Sequence, residues 1–101
     1  MSVLGGNVTY CTVVEFEWGE GLDRERFAGM MAGVGAGQSV PEGRLSHIAG
    51  IDDTGARVIE VWRSGDDARR FAEQSRPSLA AAAMPAPTRV FGFEVSSYVV
   101  S

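Results

Sequence analysis

An α+β fold ordered strand, helix, strand, strand, helix, strand is predicted by three observations. Segments rich in β-branched and aromatic residues stand near both ends and in the middle, and two segments of helical period separate them. Breaks rich in Gly, Pro or Asp fall between them. At 101 residues the chain is expected to be one domain, 1–101, with a core too modest to stand without a covering partner.

The first strand is expected over residues 8 to 18, "VTYCTVVEFEW". Tyr10, Thr12, Val14, Phe16 and Trp18 fall on one side of it, and Cys11, Val13, Glu15 and Glu17 on the other. "GLDRERFAGMMAGVGAG" then changes period: Leu22, Phe27, Met30, Met31 and Val34 form a stripe, which predicts a helix over about residues 23–34. Asp23 is its N-cap candidate, and Gly35 or Gly37 its stop. A polar loop, "GQSVPEG", leads to a hairpin with strands at Arg44 to Ile51 and Ala56 to Arg63.

The second helix starts at "SGDD", with Ser64 or Asp66 as cap and Ala68, Phe71, Ala72 and Leu79 turned inward. Pro77 lacks an N–H, so a kink is expected, or two segments with Pro77 opening the second. "PAP" ends the helix, and "TRVFGFEVSSYVV" returns as the fourth strand. This order specifies a ferredoxin-like βαββαβ unit, a four-stranded antiparallel sheet with both helices on one face.

Both sides of the hairpin are apolar, with Leu45, Ala49, Ile51, Val58 and Trp62 on one and Ile48, Ile59 and Val61 on the other. A sheet wet on one side should alternate more cleanly. A second copy of the chain, covering the open face in a homodimer, is the simplest expected partner.

Composition removes several function classes. The net charge of −4 and the absence of a basic cluster argue against nucleic acid. All nine cations are arginine, so the chain has no lysine for a Schiff base or a pyridoxal cofactor. One cysteine and one histidine provide neither a disulfide nor a multi-histidine or paired-cysteine metal site, and no metal is expected. "GVGAG" at 33–37 follows a helix instead of joining a strand to one, so it reads as a helix stop, not a dinucleotide loop. The acidic residues fall near strand ends, turns and a helix start, where solvation and capping account for them. The N-terminus lacks a signal pattern and "LAAAAM" is too short to span a bilayer, so no membrane association and a reducing cytoplasm are expected.

The chemistry-bearing pair is His47 and Glu60. If the turn is symmetric about Asp53 and Thr54, cross-strand partners have numbers that sum to 107, which faces His47 at Glu60 and Leu45 at Trp62. A bulge beside Gly55 would instead part the pair to opposite faces. An imidazole held by a carboxylate has a fixed tautomer and can exchange a proton near neutral pH. The same two residues are also explained as a plain cross-strand pair, so their apolar neighbours Ala49 and Val58 carry the functional argument: ionisable groups there call for a polar ligand or water.

"GARVIEVWRSGDDARRFAEQ", with a strand ending in Trp62 and a small polar step into the second helix, resembles the dimeric α+β-barrel superfamily, in particular its antibiotic-biosynthesis-monooxygenase-like branch. "LSHIAG" and "RPSLAAA" before a proline-rich break are similar to small uncharacterised actinobacterial members. The resemblance covers nearly the whole chain. It implies a homodimeric barrel with a small-molecule pocket between helices and sheet in each subunit, and it makes Trp62 a candidate wall of that pocket. Tyr10, Phe27, Met30, Met31, Phe71 and Phe93 are candidates for the same lining, and equally for the core.

Haem-degrading relatives rely on an Asn, a Trp and a helix-borne His. Here the second helix has no His, and Asn7 precedes the first strand. Quinone-forming relatives carry an Asn four residues before the Trp and a Tyr at the start of the next helix, where this chain has Val58 and Ala68. The expected function is therefore cofactor-free acid–base cyclisation or isomerisation of a mostly apolar, polyketide-like molecule. His47 would act as base or acid, Glu60 as its orienter and Trp62 as a wall. The alternatives are cofactor-independent monooxygenation and a non-catalytic ligand-binding or structural dimer.

Overall fold

The computed structural model describes residues 8–34 and 40–100. The elements follow in the expected order: β1 (Tyr10–Glu17), α1 (Arg24–Val34), β2 (Arg44–Ile51), β3 (Gly55–Trp62), α2 (Gly65–Ala81) and β4 (Arg89–Glu94). The strands form one antiparallel sheet in the order β2-β3-β1-β4, so the N-terminal strand is central and β2 and β4 are the edges. Both helices face the same side of it. The expected helix stop at Gly35 or Gly37 and the position of Asn7 lie outside the described residues.

Local chemistry explains where the elements begin. Asp23 Oδ1 accepts the Arg26 backbone N–H at 2.8 Å, capping α1. Ser64, in extended conformation, caps α2 by accepting the Asp67 N–H on Oγ at 3.1 Å. The two-segment alternative at Pro77 is not met: α2 continues through it as a single helix to Ala81. Proline removes one donor from the ladder, and the bonds of neighbouring turns carry the helix across it. Ala72, expected inside, is exposed.

The hairpin turn is built by one side chain. Asp52 Oδ1 accepts from the Thr54 N–H at 2.8 Å, the Gly55 N–H at 3.0 Å and the Thr54 hydroxyl at 2.8 Å. The Asp52 carboxyl is accordingly held far below the usual carboxylate range, chiefly by the Thr54 hydroxyl and N–H. The Asp52 N–H donates to the Gly55 carbonyl at 2.9 Å and closes a two-residue loop at Asp53 and Thr54. From there the register runs Ile51 to Ala56, Ala49 to Val58 and His47 to Glu60.

Beyond Ser46 the pairing slips. Ser46 still faces Val61, but Arg44, not Leu45, faces Trp62, so the expected Leu45–Trp62 pair does not form. Leu45 is the extra residue of a bulge and is half exposed.

Along β3, Ala56, Val58, Glu60 and Trp62 share the helix-covered face, and they divide it into three parts. At the turn end Ala56 packs with Leu22 and Phe27, with Phe16, Trp18, Met30 and Met31 against them. At the other end Trp62 is fully buried and stacks on Phe71 with ring centroids 5.2 Å apart, while its Nε1 donates to Thr12 Oγ1 at 3.2 Å. Val58 and Glu60 lie between these two packed ends.

A polar node ties the β2 approach to the start of α2. The buried Asp67 carboxylate accepts from Arg63 at 3.1 Å, Arg70 at 2.7 Å and the Ser64 hydroxyl at 2.9 Å. The Arg63 guanidinium and then the Ser64 hydroxyl lower its pKa to about 2. Gly43 turns with φ +84° directly against this carboxylate, and its carbonyl accepts the Arg63 N–H at 2.7 Å.

The opposite sheet face carries Cys11 and Val13 at its centre. Val61 and Phe93 flank Cys11, and Ile59 and Phe91 flank Val13. Cys11 is buried among them, which pushes its thiol pKa up. Ile48 and Phe93 on this face are 59% and 49% exposed. Among the described residues no helix is long and apolar enough to cross a membrane.

Candidate functional site

A cavity of about 420 Å³ opens between the two helices and the middle of the sheet. Val14 and Val58 make its apolar floor, Met30 and Met31 come from α1, and α2 supplies Phe71 together with the polar Gln74, Ser75 and Ser78. Arg26 holds the far ends of the helices together, donating to the Ala82 and Ala83 carbonyls at 2.9 and 3.2 Å.

The ionisable groups meet on the sheet side. His47 Nδ1 lies 2.9 Å from Glu60 Oε2, and the same oxygen accepts from Arg44 Nη1 at 3.1 Å. All three side chains are largely buried, at 8% exposure for Arg44, 12% for Glu60 and 18% for His47. A carboxylate paired to a guanidinium can only accept, so Nδ1 carries a proton, and in the neutral ring Nε2 is the nitrogen with the lone pair. That is the tautomer a proton acceptor needs.

The residues expected to line the pocket divide. Met31 and Phe71 do line it, as does Met30. Trp62 does not: it lies behind Phe71, sealed to 1% exposure, and supports the wall instead of forming it. Phe27 belongs to the packed end with Leu22. Tyr10 lays its ring against Gly92, where a Cβ would stand 2.6 Å from the ring. Phe93 is on the wrong side altogether, because its register opposite Cys11 turns it to the open face.

Arg44 was not legible as a site residue. Three positions separate it from His47, which in an unbroken strand puts the two on opposite faces. The bulge at Leu45 adds a residue and brings Arg44 round to the side of His47 and Glu60. Gln74, Ser75 and Ser78 were missed because polar residues on a helix ordinarily signal solvent. Among the described residues no cluster of three or more His, Cys, Asp or Glu could hold a metal ion.

No family model matches this chain, and none of the curated proteins does. Among solved structures it is similar to a protein from Chloroflexus aurantiacus J-10-fl, provisionally named an antibiotic biosynthesis monooxygenase. The TM-score is 0.65 at 15% identity, over 92% of this chain and 99% of that one. The fold is ferredoxin-like. A likeness this distant in sequence establishes that architecture, and the chemistry has to be argued from the cavity.

Proposed function

We propose that this chain is a cofactor-free small-molecule enzyme whose cavity takes a mostly apolar, polyketide-like molecule and whose His47 removes a proton from it. The observation that carries this reading is the 2.9 Å contact of His47 Nδ1 with a buried carboxylate at the edge of a cavity large enough for a fused-ring substrate. Glu60 orients the ring and balances the imidazolium formed on transfer.

Two fates of the resulting carbanion are open to such a site. The likeness to a protein named a monooxygenase supports oxygenation. In that reaction the carbanion adds dioxygen to give a hydroperoxide, which loses water and leaves a carbonyl. A CH₂ group plus O₂ becomes C=O plus H₂O, with no further reductant. Cyclisation or isomerisation, in which the proton returns to another atom, is supported by the apolar Val58 and Ala68 at positions where quinone-forming relatives are polar.

One experiment covers both. Anthrone- and naphthol-type substrates in deuterated buffer are expected to exchange their acidic hydrogen faster with the enzyme present, and an oxygen electrode registers whether uptake follows. Exchange with uptake gives the oxygenase, and exchange without it the isomerase or cyclase. Binding without exchange or uptake would falsify the enzymatic reading and leave a ligand-binding protein.

A homodimer belongs to the same proposal, because Ile48, Val61 and Phe93 leave an apolar sheet face for a second copy to cover. Sedimentation is expected to give about twice the chain mass of 10.8 kDa, and Phe93→Asp to reduce it to one. A wild-type monomer at micromolar concentration would remove this part.

A further inference from the structure

Arg44 is more than Glu60's counter-ion. A guanidinium carries five N–H donors, and among the described residues this one uses a single Nη1 bond to Glu60. Its side chain is only 8% exposed, yet no buried side-chain nitrogen among the described residues is left without a partner. Its remaining donors therefore keep some accessible surface, and Arg44 lines the cavity. A largely buried cation that lines an apolar cavity and has most of its donors uncommitted calls for a second acceptor there.

Charge counting indicates the acceptor. With His47 neutral, Arg44 and Glu60 cancel. When His47 takes a proton from a neutral substrate, the site gains an imidazolium and the substrate becomes an anion, so the cavity stays neutral. Glu60 already stands against the imidazole, which leaves Arg44 to meet the new negative charge.

We propose that Arg44 binds the oxygen of the substrate on which this charge collects, so that the substrate class is a neutral phenol or enolisable ketone held as its oxyanion. The C–H or O–H bond breaks, its electron pair moves onto the oxygen facing Arg44, and the proton goes to His47 Nε2. This rests on the proton-transfer reading above and adds the electrophilic half of the site. Arg44 is on this account a catalytic residue, since it touches the reacting oxyanion. The bulge at Leu45 is the device that aims it.

Binding of 4-nitrophenol tests the assignment. Its phenolate is coloured, so the ionisation state of the bound probe is read directly, and 4-nitrotoluene is a neutral control of the same size. Wild-type protein is expected to bind the phenolate about tenfold or more tightly than the control. The chain's net charge of −4 opposes anions at long range, so such a preference must arise locally.

Arg44→Met is expected to reduce the preference to about unity. The double variant Arg44→Met with Glu60→Gln is expected to do the same without stranding a buried carboxylate, and circular dichroism confirms that each is folded. An unchanged preference in either folded variant, or no phenolate preference in the wild type, overturns the assignment. If the preference depends on Arg44 but no substrate exchanges its hydrogen, the oxyanion site stands and the enzymatic reading fails.

Discussion

His47→Ala is expected to lower kcat/KM by about 10²- to 10⁴-fold on any substrate whose acidic hydrogen the enzyme exchanges. His47 is the chain's only histidine, it lines the cavity, and with Glu60 on Nδ1 the nitrogen left to take a proton in the neutral ring is Nε2. The fold should survive the change, since Glu60 keeps its bond from Arg44 and the deleted ring lines a space that water can enter. Thermal unfolding should therefore move little while turnover collapses, and comparing the two measurements separates a chemical role from a structural one. Full turnover in a folded His47→Ala protein would show that the imidazole is only a strand-pairing residue.

Gly55→Ala is expected to be among the most destabilising single substitutions, at roughly 3 kcal/mol or more. A Cβ at Gly55 would stand 1.8 Å from the Phe16 carbonyl oxygen and 2.9 Å from Glu17 Cα. These are backbone atoms of the neighbouring strand, so no rotamer change relieves the clash, and the two inner strands β1 and β3 must separate at their turn end. For a chain of this size the loss corresponds to a fall in Tm of roughly 12–24 °C. Gly50→Ala is the control: its Cβ meets nothing within 4 Å, and Tm should change little. Unfolding of both variants followed by circular dichroism checks the contrast, and equal stability of the two would mean that the β1–β3 spacing at Gly55 is not as tight as described.

The hairpin shows how far local chemistry reaches. Asp52, Thr54 and Gly55 lie within four consecutive residues, and their side-chain and backbone bonds make the two-residue turn. A period of two then carries the register outward, so the facing of His47 and Glu60 depends on a turn five residues away. The same reasoning fails at Leu45, because a bulge answers to the packing of Trp62 against Phe71 and to the approach through Gly43, neither of which is adjacent in sequence.

Phe93 and Trp62 mark the other limit. Alternation along β4 separates Phe91 and Phe93 from Val90 and Gly92, but which pair faces the helices is set by the pairing with β1. Trp62 is expected as a pocket wall only by the resemblance to the antibiotic-biosynthesis-monooxygenase-like branch; its composition alone points to the core. Its place behind Phe71 follows from the crossing of α2 over the strand end.

The sequence by itself determined the element order and offered Asp23 and Ser64 among the caps, because these follow from interactions within a few residues, and it reduced the meeting of His47 with Glu60 to a one-residue choice of register at the turn. Only the tertiary structure decided that Arg44 joins them, that Trp62 stands behind the wall and that Phe93 faces away. Those outcomes depend on the bulge and on the pairing and packing of distant elements, which no local pattern encodes.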